Sequence, residues 1–158
     1  MNVYITDGTP DGFYTAVFNA CTDRDCVVTS SRTVQLALDS TVILVDTDEE
    51  KSGRVKRKLR EYAPRSLGDV SLILRRGSET KEQTALEYIR LIVAKRAPVG
   101  GMLSHPAVIA AREEKKKVTL EAHRYTGFLR FMEGQGGIFY APFSPDNDIL
   151  ELILPHFI

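Results

Sequence analysis

The densest group of side chains that could do chemistry lies in the last quarter of the chain. Glu121, His123 and Arg124 fall within four consecutive positions, in a segment that we expect to be the end of a helix. An imidazole titrates near neutrality, so Glu121 and His123 are candidate catalytic residues that could act as acid and base. A structural interpretation is also open, because a helix end favours His or Arg and because Glu121 can pair with Arg124 at i, i+3. In a third interpretation, His123 and Arg124 contact an anion or nucleic acid.

Basic and aromatic residues alternate in the segment that follows. Arg130 lies on a predicted strand, close in sequence to Phe128 and to Phe139 and Tyr140 of a predicted hairpin. Such interleaving resembles, in its chemistry, the surfaces that stack bases and hold phosphates. Hairpin aromatics also commonly belong to a core, and burial habits favour that interpretation by roughly two to one. Arg124, Arg130 and Tyr140 are therefore candidate nucleic-acid-binding residues, with core packing as the alternative.

A second cationic segment lies near the middle of the chain. Lys51–Arg60 (KSGRVKRKLR) contains six basic residues and no acidic one, whereas residues 1–50 hold two basic and nine acidic residues. A basic surface on a neutral chain can still hold a phosphate backbone, because the attraction extends over about 10 Å in ordinary salt. The alternative, for this segment and for Arg112–Lys117, is a solvated helix face. Arg54, Arg57 and Lys58 complete the set of candidate nucleic-acid-binding residues.

The remaining motifs indicate neither a metal site nor a cofactor. Cys21 and Cys26 have no nearby histidine to complete a zinc site, and we expect ordinary thiols. His105-Pro106 is explained by a helix that opens with proline, and residues 145–148 (PDND) by helix capping. His156 lies in an apolar tail and could pack as a core histidine. No phosphate-binding glycine motif or nucleophile elbow is present, so the sequence predicts no metal and no cofactor.

The elements that must position these side chains indicate a helix-rich α+β domain. Alternation over Asn2–Thr6 and β-branched residues over Thr41–Asp46 predict strands. Thr9-Pro10 predicts one helix start, and Thr47 with Glu50 predicts a capping box at another. Further helices are predicted at about 70–77, 78–95, 107–123 with an interruption near 115–117, and 147–154, and a hairpin after 127. The predicted sheet is small and antiparallel or mixed, and includes the C-terminal hairpin.

Size and composition indicate one globular domain. A chain of 158 residues with 43% hydrophobic and 27% charged side chains can bury one proper core, and two domains would be cramped. Its apolar runs are far shorter than the roughly 20 residues of a membrane-spanning helix. The N-terminal residues do not resemble a secretory signal, so we expect a cytoplasmic protein.

Five segments are distinctive in combination: YITDGTPDGFYTAVFNA, LSHPAV, EAHRYTGFLRF, IFYAPFSPDNDIL and LPHFI. With these segments the chain resembles, over almost its whole length, a bacterial domain family of unknown function that occurs in DNA-metabolism and DNA-repair proteins. In that family the domain can be fused to a uracil-DNA glycosylase-like domain or encoded beside a radical-SAM DNA-modification protein. The resemblance thus implies a nucleic-acid role and a partner of one of these kinds, but no catalytic residue. We expect residues 1–158 to be one domain. Because members usually continue beyond the PHF motif, truncation of this domain at its C-terminus is one interpretation.

Three hypotheses follow. In the first, the chain is a DNA-metabolism or DNA-repair domain that binds nucleic acid or positions DNA for a partner enzyme. In the second, it is an enzyme that acts on nucleic acid or a nucleotide, with Glu121 and His123 as the acid-base pair. In the third, it is a protein-interaction module whose basic helix meets an acidic partner.

Overall fold

The computed structural model describes residues 1–158 and contains six α-helices and two small sheets, which confirms the helix-rich α+β class. Its elements are, in chain order, β1 (Asn2–Ile5), α1 (Pro10–Asn19), β2 (Cys26–Thr29), β3 (Thr41–Leu44), α2 (Glu49–Tyr62), α3 (Ser66–Leu74), α4 (Lys81–Lys95), α5 (Pro106–Phe128), β4 (Met132–Glu133), a 3-10 turn (Gln135–Gly137), β5 (Phe139–Tyr140) and α6 (Leu150–Phe157). No helix combines the length and hydropathy that crossing a membrane requires.

The two sheets differ in strand direction. The N-terminal sheet has the order β2-β1-β3 and is parallel throughout, with Val3 opposite both Val27 and Val42. Parallel neighbours need a crossover, which α1 supplies between β1 and β2. The antiparallel pairing expected in the C-terminal hairpin is confirmed between β4 and β5. Parallel order places the carboxyl ends of three strands at one edge, where the chain enters α1 and α2.

The predicted start of α1 is confirmed. Thr9 is the N-cap, its side-chain oxygen accepts the Gly12 N–H at 3.0 Å, and Pro10 is the first helical residue. Asp7 supports this cap, since its Oδ1 accepts hydrogen bonds from the backbone N–H and the hydroxyl of Thr9. Gly8 has a φ of +83°, a left-handed conformation that favours glycine. The tight turn brings the start of α1 directly to the edge of the sheet.

The predicted cap of α2 was off by one residue. Asp48, not Thr47, is the N-cap, and its Oδ1 accepts the Glu50 and Lys51 N–H groups at 3.0 and 3.1 Å. Thr47 donates its hydroxyl to Asp7 Oδ2 at 2.7 Å instead. Asp48 is the N-cap because a carboxylate can accept two backbone hydrogen bonds at the positive helix end.

Helix α5 is longer than predicted and unbroken. It begins after His105, whose Nδ1 accepts the Ala107 N–H, and runs to Phe128 without the expected interruption near Lys115. Lys115 is tied to Asp69 of α3 at 2.8 Å, which pairs one of the clustered charges. Residues 121–128 therefore lie inside the helix, and Arg130 follows it in an irregular connection rather than on a strand.

The core has two parts. The main cluster joins the parallel sheet to α1 to α5, and Phe13, Leu59 and Ile92 are among its buried members. A smaller cluster of Val118, Ile149 and Ile153 fixes α6 against α5. Helix α6 begins at Leu150 rather than at residue 147, because Asn147 is used in side-chain contacts described below.

Candidate nucleic-acid interface

Four aromatic rings near the hairpin are exposed, and three of them, those of Phe128, Phe131 and Tyr140, are what we call the aromatic surface. Phe128, Phe131, Phe139 and Tyr140 keep between 50% and 63% of their area accessible. The interpretation of these residues as core is therefore wrong. The β4–β5 ladder has only two residues in each strand, so it is too small to bury its own side chains.

The rings are nevertheless held in place. The Phe131 ring packs edge-on against Phe157 of α6 with centroids 5.3 Å apart, and Phe128 packs on Tyr125 at 5.0 Å. Ring atoms of Tyr140 would lie 3.4 Å from a Cβ at Gly134, so the ring rests over that glycine. Fixed aromatic faces lose little conformational entropy on binding, which suits them to stacking.

Two arginines accompany the aromatic surface. Arg124 and Arg130 are exposed, and neither forms a salt bridge. Arg130 donates from Nη1 to the Gly127 carbonyl at 3.2 Å, which directs its guanidinium back along the chain. His123 is exposed as well. The two guanidinium groups remain free to meet phosphate groups.

The Glu121 carboxylate is used in a structural contact. Its oxygens accept the backbone N–H groups of Asp146 and Asn147 at 2.6 and 2.9 Å and the Asn147 side-chain amide at 2.6 Å. The expected pairing of Glu121 with Arg124 is therefore not formed. Residues two apart on a helix do not face each other, so Glu121 and His123 diverge. Their role as an acid-base pair stays a prediction without a contact in its favour.

Asn147 organises this region, and its importance was not evident from the sequence. It is 7% exposed, and its Oδ1 accepts the Arg76 guanidinium at 2.7 Å and the Gly77 N–H at 3.0 Å. Together with its bonds to Glu121, these contacts join the α3–α4 connection to α5. Capping had been expected of the PDND segment, but a single asparagine that links two distant elements has no local sequence signal.

The basic residues of α2 lie along a different surface, which we call the α2 groove. Arg54, Arg57 and Lys58 line it, and its volume is about 410 Å³. Its floor is apolar and includes Val17, Leu59, Ile89 and Val93.

The cations of the α2 groove are only partly paired. The Arg54 guanidinium lies over the Phe18 ring at 5.1 Å. Glu61 accepts a hydrogen bond from Lys58 at 3.3 Å and thereby raises the pKa of that ammonium group. Arg57 is exposed and has no acidic partner. The groove therefore combines an apolar floor with a positive rim.

The structure does not bring the two cationic groups into one site. Helix α2 packs against α1, α3 and α4, whereas α5 packs against α3, α4 and α6. The α2 groove contains no residue beyond Val93. The predicted nucleic-acid-binding residues thus divide into Arg54, Arg57 and Lys58 on one surface and Arg124, Arg130 and Tyr140 on another.

Several other expectations can be compared with the structure. Cys21 and Cys26 are free thiols, as predicted. His156 is exposed in the last turn of α6, so its predicted core position is wrong. Three of the six charged residues of Arg112–Lys117 are paired: Glu114 with Arg76 at 2.8 Å and with Lys117 of the same run, and Lys115 with Asp69.

These features define a class: an α+β domain with a parallel N-terminal sheet and an exposed aromatic hairpin at its C-terminal end. Residues 79–158, half of the chain, match the model of a family described as a domain of unknown function, DUF4130, and the chain belongs to this family. The matched segment contains α4, α5, the aromatic surface and α6. No curated protein and no solved structure matches the chain.

Proposed function

We propose that this chain is a DNA-metabolism domain that binds single-stranded nucleic acid through its aromatic surface and positions it for a partner enzyme. The observation that carries the proposal is the exposure of three anchored aromatic rings, Phe128, Phe131 and Tyr140, beside two arginines that have no acidic partner. Stacking of a base on an aromatic ring contributes about 1–3 kcal/mol and tolerates any base. Guanidinium groups beside such rings can hold the phosphates between stacked bases.

The strand register indicates which side of the hairpin is suited to a polyanion. Tyr140 lies opposite Met132, and Phe139 lies opposite Glu133. Neighbouring strand residues point to opposite faces, so the carboxylate shares its face with Phe139 and not with Tyr140. We expect Tyr140 to stack on a base, because its face carries no negative charge.

The resemblance to proteins of DNA metabolism supports the same proposal. Single strands are favoured over duplex because paired bases are already stacked and cannot reach the rings. The expected partner is a glycosylase-like or radical-SAM protein, which would act on the strand that this domain holds.

The proposal is tested by fluorescence anisotropy with a labelled single-stranded oligonucleotide at low salt. Tyr140→Ala is expected to weaken binding by about fivefold or more, the lower limit of one lost stacking contact. The separate variant Arg124→Gln should also weaken binding, and should reduce the dependence of the affinity on salt concentration. Arg112→Gln removes an exposed arginine of the same helix outside the aromatic surface, and should leave affinity within about twofold. Absence of binding, or equal effects of Arg124→Gln and Arg112→Gln, would refute the proposal.

The α2 groove supports a second function, docking of an acidic partner protein. An apolar floor with a cationic rim matches the chemistry of an amphipathic segment that carries Asp or Glu at its edges. The test is co-sedimentation with the purified glycosylase-like or radical-SAM protein in the absence of DNA. Arg57→Glu should abolish the complex and Arg112→Glu should not. Loss of the complex with both variants, or no complex at all, would count against docking at this groove.

A further inference from the structure

We propose that a crevice at the carboxyl edge of the parallel sheet binds a small phosphorylated molecule that also carries a hydroxyl group, as sugar phosphates and nucleotides do. This edge crevice has a volume of about 430 Å³ and is lined by the β1–α1 connection, the beginning of α4, the end of α3 and residues around the beginning of α6. It is separate from both the aromatic surface and the α2 groove.

Three helices begin at the edge crevice. Thr9 and Pro10 at the start of α1, Lys81 and Glu82 at the start of α4, and Glu151 in the first turn of α6 all line it. Neither α4 nor α6 has a side-chain cap, so the N–H groups of their first turns have no side-chain acceptor. Helix N-termini carry partial positive charge and free donors, which together suit a phosphate.

A buried carboxylate provides the independent indication of a ligand. Glu82 is 3% exposed, and its Oε1 accepts the Ser30 hydroxyl at 2.5 Å. Its Oε2 is buried and has no hydrogen-bond partner, although Glu82 lines the edge crevice. A buried carboxylate oxygen without a donor is costly. A hydroxyl group of a ligand in the crevice would supply the missing donor.

The charges of the edge crevice leave one cation available. Lys56 is paired with Asp11, and Arg75 is paired with Glu151 at 2.6 Å and with Asp148 at 3.6 Å. Lys81 is half-buried and has no salt bridge. Asp148 and Glu151 also line the crevice, but Arg75 neutralises them in part. Lys81 therefore marks the position for the phosphate, next to the start of α4.

The sheet topology agrees with this placement. In the order β2-β1-β3 the central strand is β1, and parallel sheets bind ligands outside the carboxyl ends of their strands, where the order of connections reverses. The volume lies in the range of about 300–1,000 Å³ that small-molecule sites occupy. A phosphate at Lys81 and a hydroxyl at Glu82 Oε2 are then held by adjacent residues of one helix turn.

The test is isothermal titration calorimetry on the full chain with inorganic phosphate, ribose, ribose 5-phosphate and AMP. We expect ribose 5-phosphate or AMP to bind at least about tenfold more tightly than phosphate, the value of one hydrogen bond to a charged group. Glu82→Gln replaces the carboxylate, which only accepts hydrogen bonds, by an amide. It should remove the preference for ribose 5-phosphate or AMP over phosphate, while phosphate binding persists. Lys81→Ala should weaken every phosphorylated probe. The matched controls are Lys95→Ala, at the other end of α4, and Glu113→Gln, an exposed residue of α5. Both variants should bind the probes as the parent chain does.

The outcomes separate the possible sources of the ligand. Tighter binding of AMP than of ribose 5-phosphate assigns the crevice to nucleotides, and the reverse order assigns it to sugar phosphates. No binding at millimolar concentration, equal affinity for phosphate and both phosphorylated probes, or equal behaviour of Lys81→Ala and Lys95→Ala would overturn the proposal. If Glu82→Gln does not fold, as circular dichroism would show, the Lys81→Ala comparison decides. Tyr140→Ala should leave this binding unchanged, so the result is independent of nucleic-acid binding.

Discussion

Substitution of Asn147 by alanine tests whether one buried amide holds the C-terminal half together. The side chain accepts from Arg76 at 2.7 Å and from the Gly77 N–H at 3.0 Å, and donates to Glu121 at 2.6 Å. Asn147→Ala removes all three hydrogen bonds. The amide is buried, so water does not replace it without local rearrangement.

The expected loss can be worked out from the partners that remain. Arg76 keeps its salt bridge to Glu114, and Glu121 keeps its bonds to the backbone of residues 146 and 147. Gly77 is exposed and its N–H can turn to water. The full cost of three unsatisfied groups therefore does not apply, and the free energy of unfolding should fall by about 2–3 kcal/mol. For a chain of this size that corresponds to a Tm lower by roughly 4–12 °C.

Chemical and thermal unfolding followed by circular dichroism measure this loss. Asn19→Ala is the matched control, because Asn19 is an exposed asparagine whose side chain forms one hydrogen bond, accepted from Lys51. It should change the free energy of unfolding by no more than about 0.5 kcal/mol. An Asn147→Ala variant as stable as this control would refute the view that the amide joins the α3–α4 connection to α5.

Three further predictions concern other parts of the chain. Gly77→Ala should destabilise by about 2 kcal/mol or more in urea unfolding, because its Cβ would overlap a backbone carbonyl of the loop before α6. Hydrogen bonds from Thr9 and Thr47 lower the pKa of Asp7. The stabilisation that the Asp7 carboxylate contributes is therefore present above about pH 4 and is lost as the pH falls through the folded pKa. In denaturant unfolding at a series of pH values, Asp7→Asn should lose less free energy of unfolding in acid than the parent chain does. A thiol reagent should modify exposed Cys21 rapidly and Cys26 slowly, because burial raises the pKa of Cys26.

Local signals in the sequence were sufficient for the elements that depend on neighbours in the chain. Thr9 and Pro10 start α1 as predicted because a hydroxyl cap and a proline act within one turn. The alternation in β1 and the β-branched residues of β3 predicted strands but not their direction. The direction of pairing depends on whether the segment between two strands crosses over the sheet or turns back directly. The residue pattern of a four-residue strand does not contain that information.

The aromatic surface and the edge crevice needed the tertiary structure. The run from Phe128 to Met132 alternates like a strand, yet α5 continues to Phe128 because α6 packs on its last turns. Aromatic residues normally indicate a core, and here the hairpin is too short to cover them. Lys81 and Glu82 looked like an ordinary first turn. Only the fold places them beside Thr9, from a segment about 70 residues earlier in the chain.

The division of the cations between two surfaces leads to a last prediction, which concerns the salt dependence of nucleic-acid binding. A single strand held by Arg124 and Arg130 alone displaces few counterions, and the slope of log K against log salt should be about −1.4. A strand that also reaches Arg54, Arg57 and Lys58 should give a slope of about −3.5. If the strand binds Arg124 and Arg130 alone, replacement of the three α2 residues by glutamine leaves the slope unchanged. If the strand also reaches α2, the same replacement reduces the slope to about −1.4. Because the two surfaces pack against different helices, we expect a short oligonucleotide to show the shallow slope and to be insensitive to the triple substitution. A steep slope that the triple substitution reduces would show that the strand spans both surfaces, and would contradict binding by the aromatic surface alone.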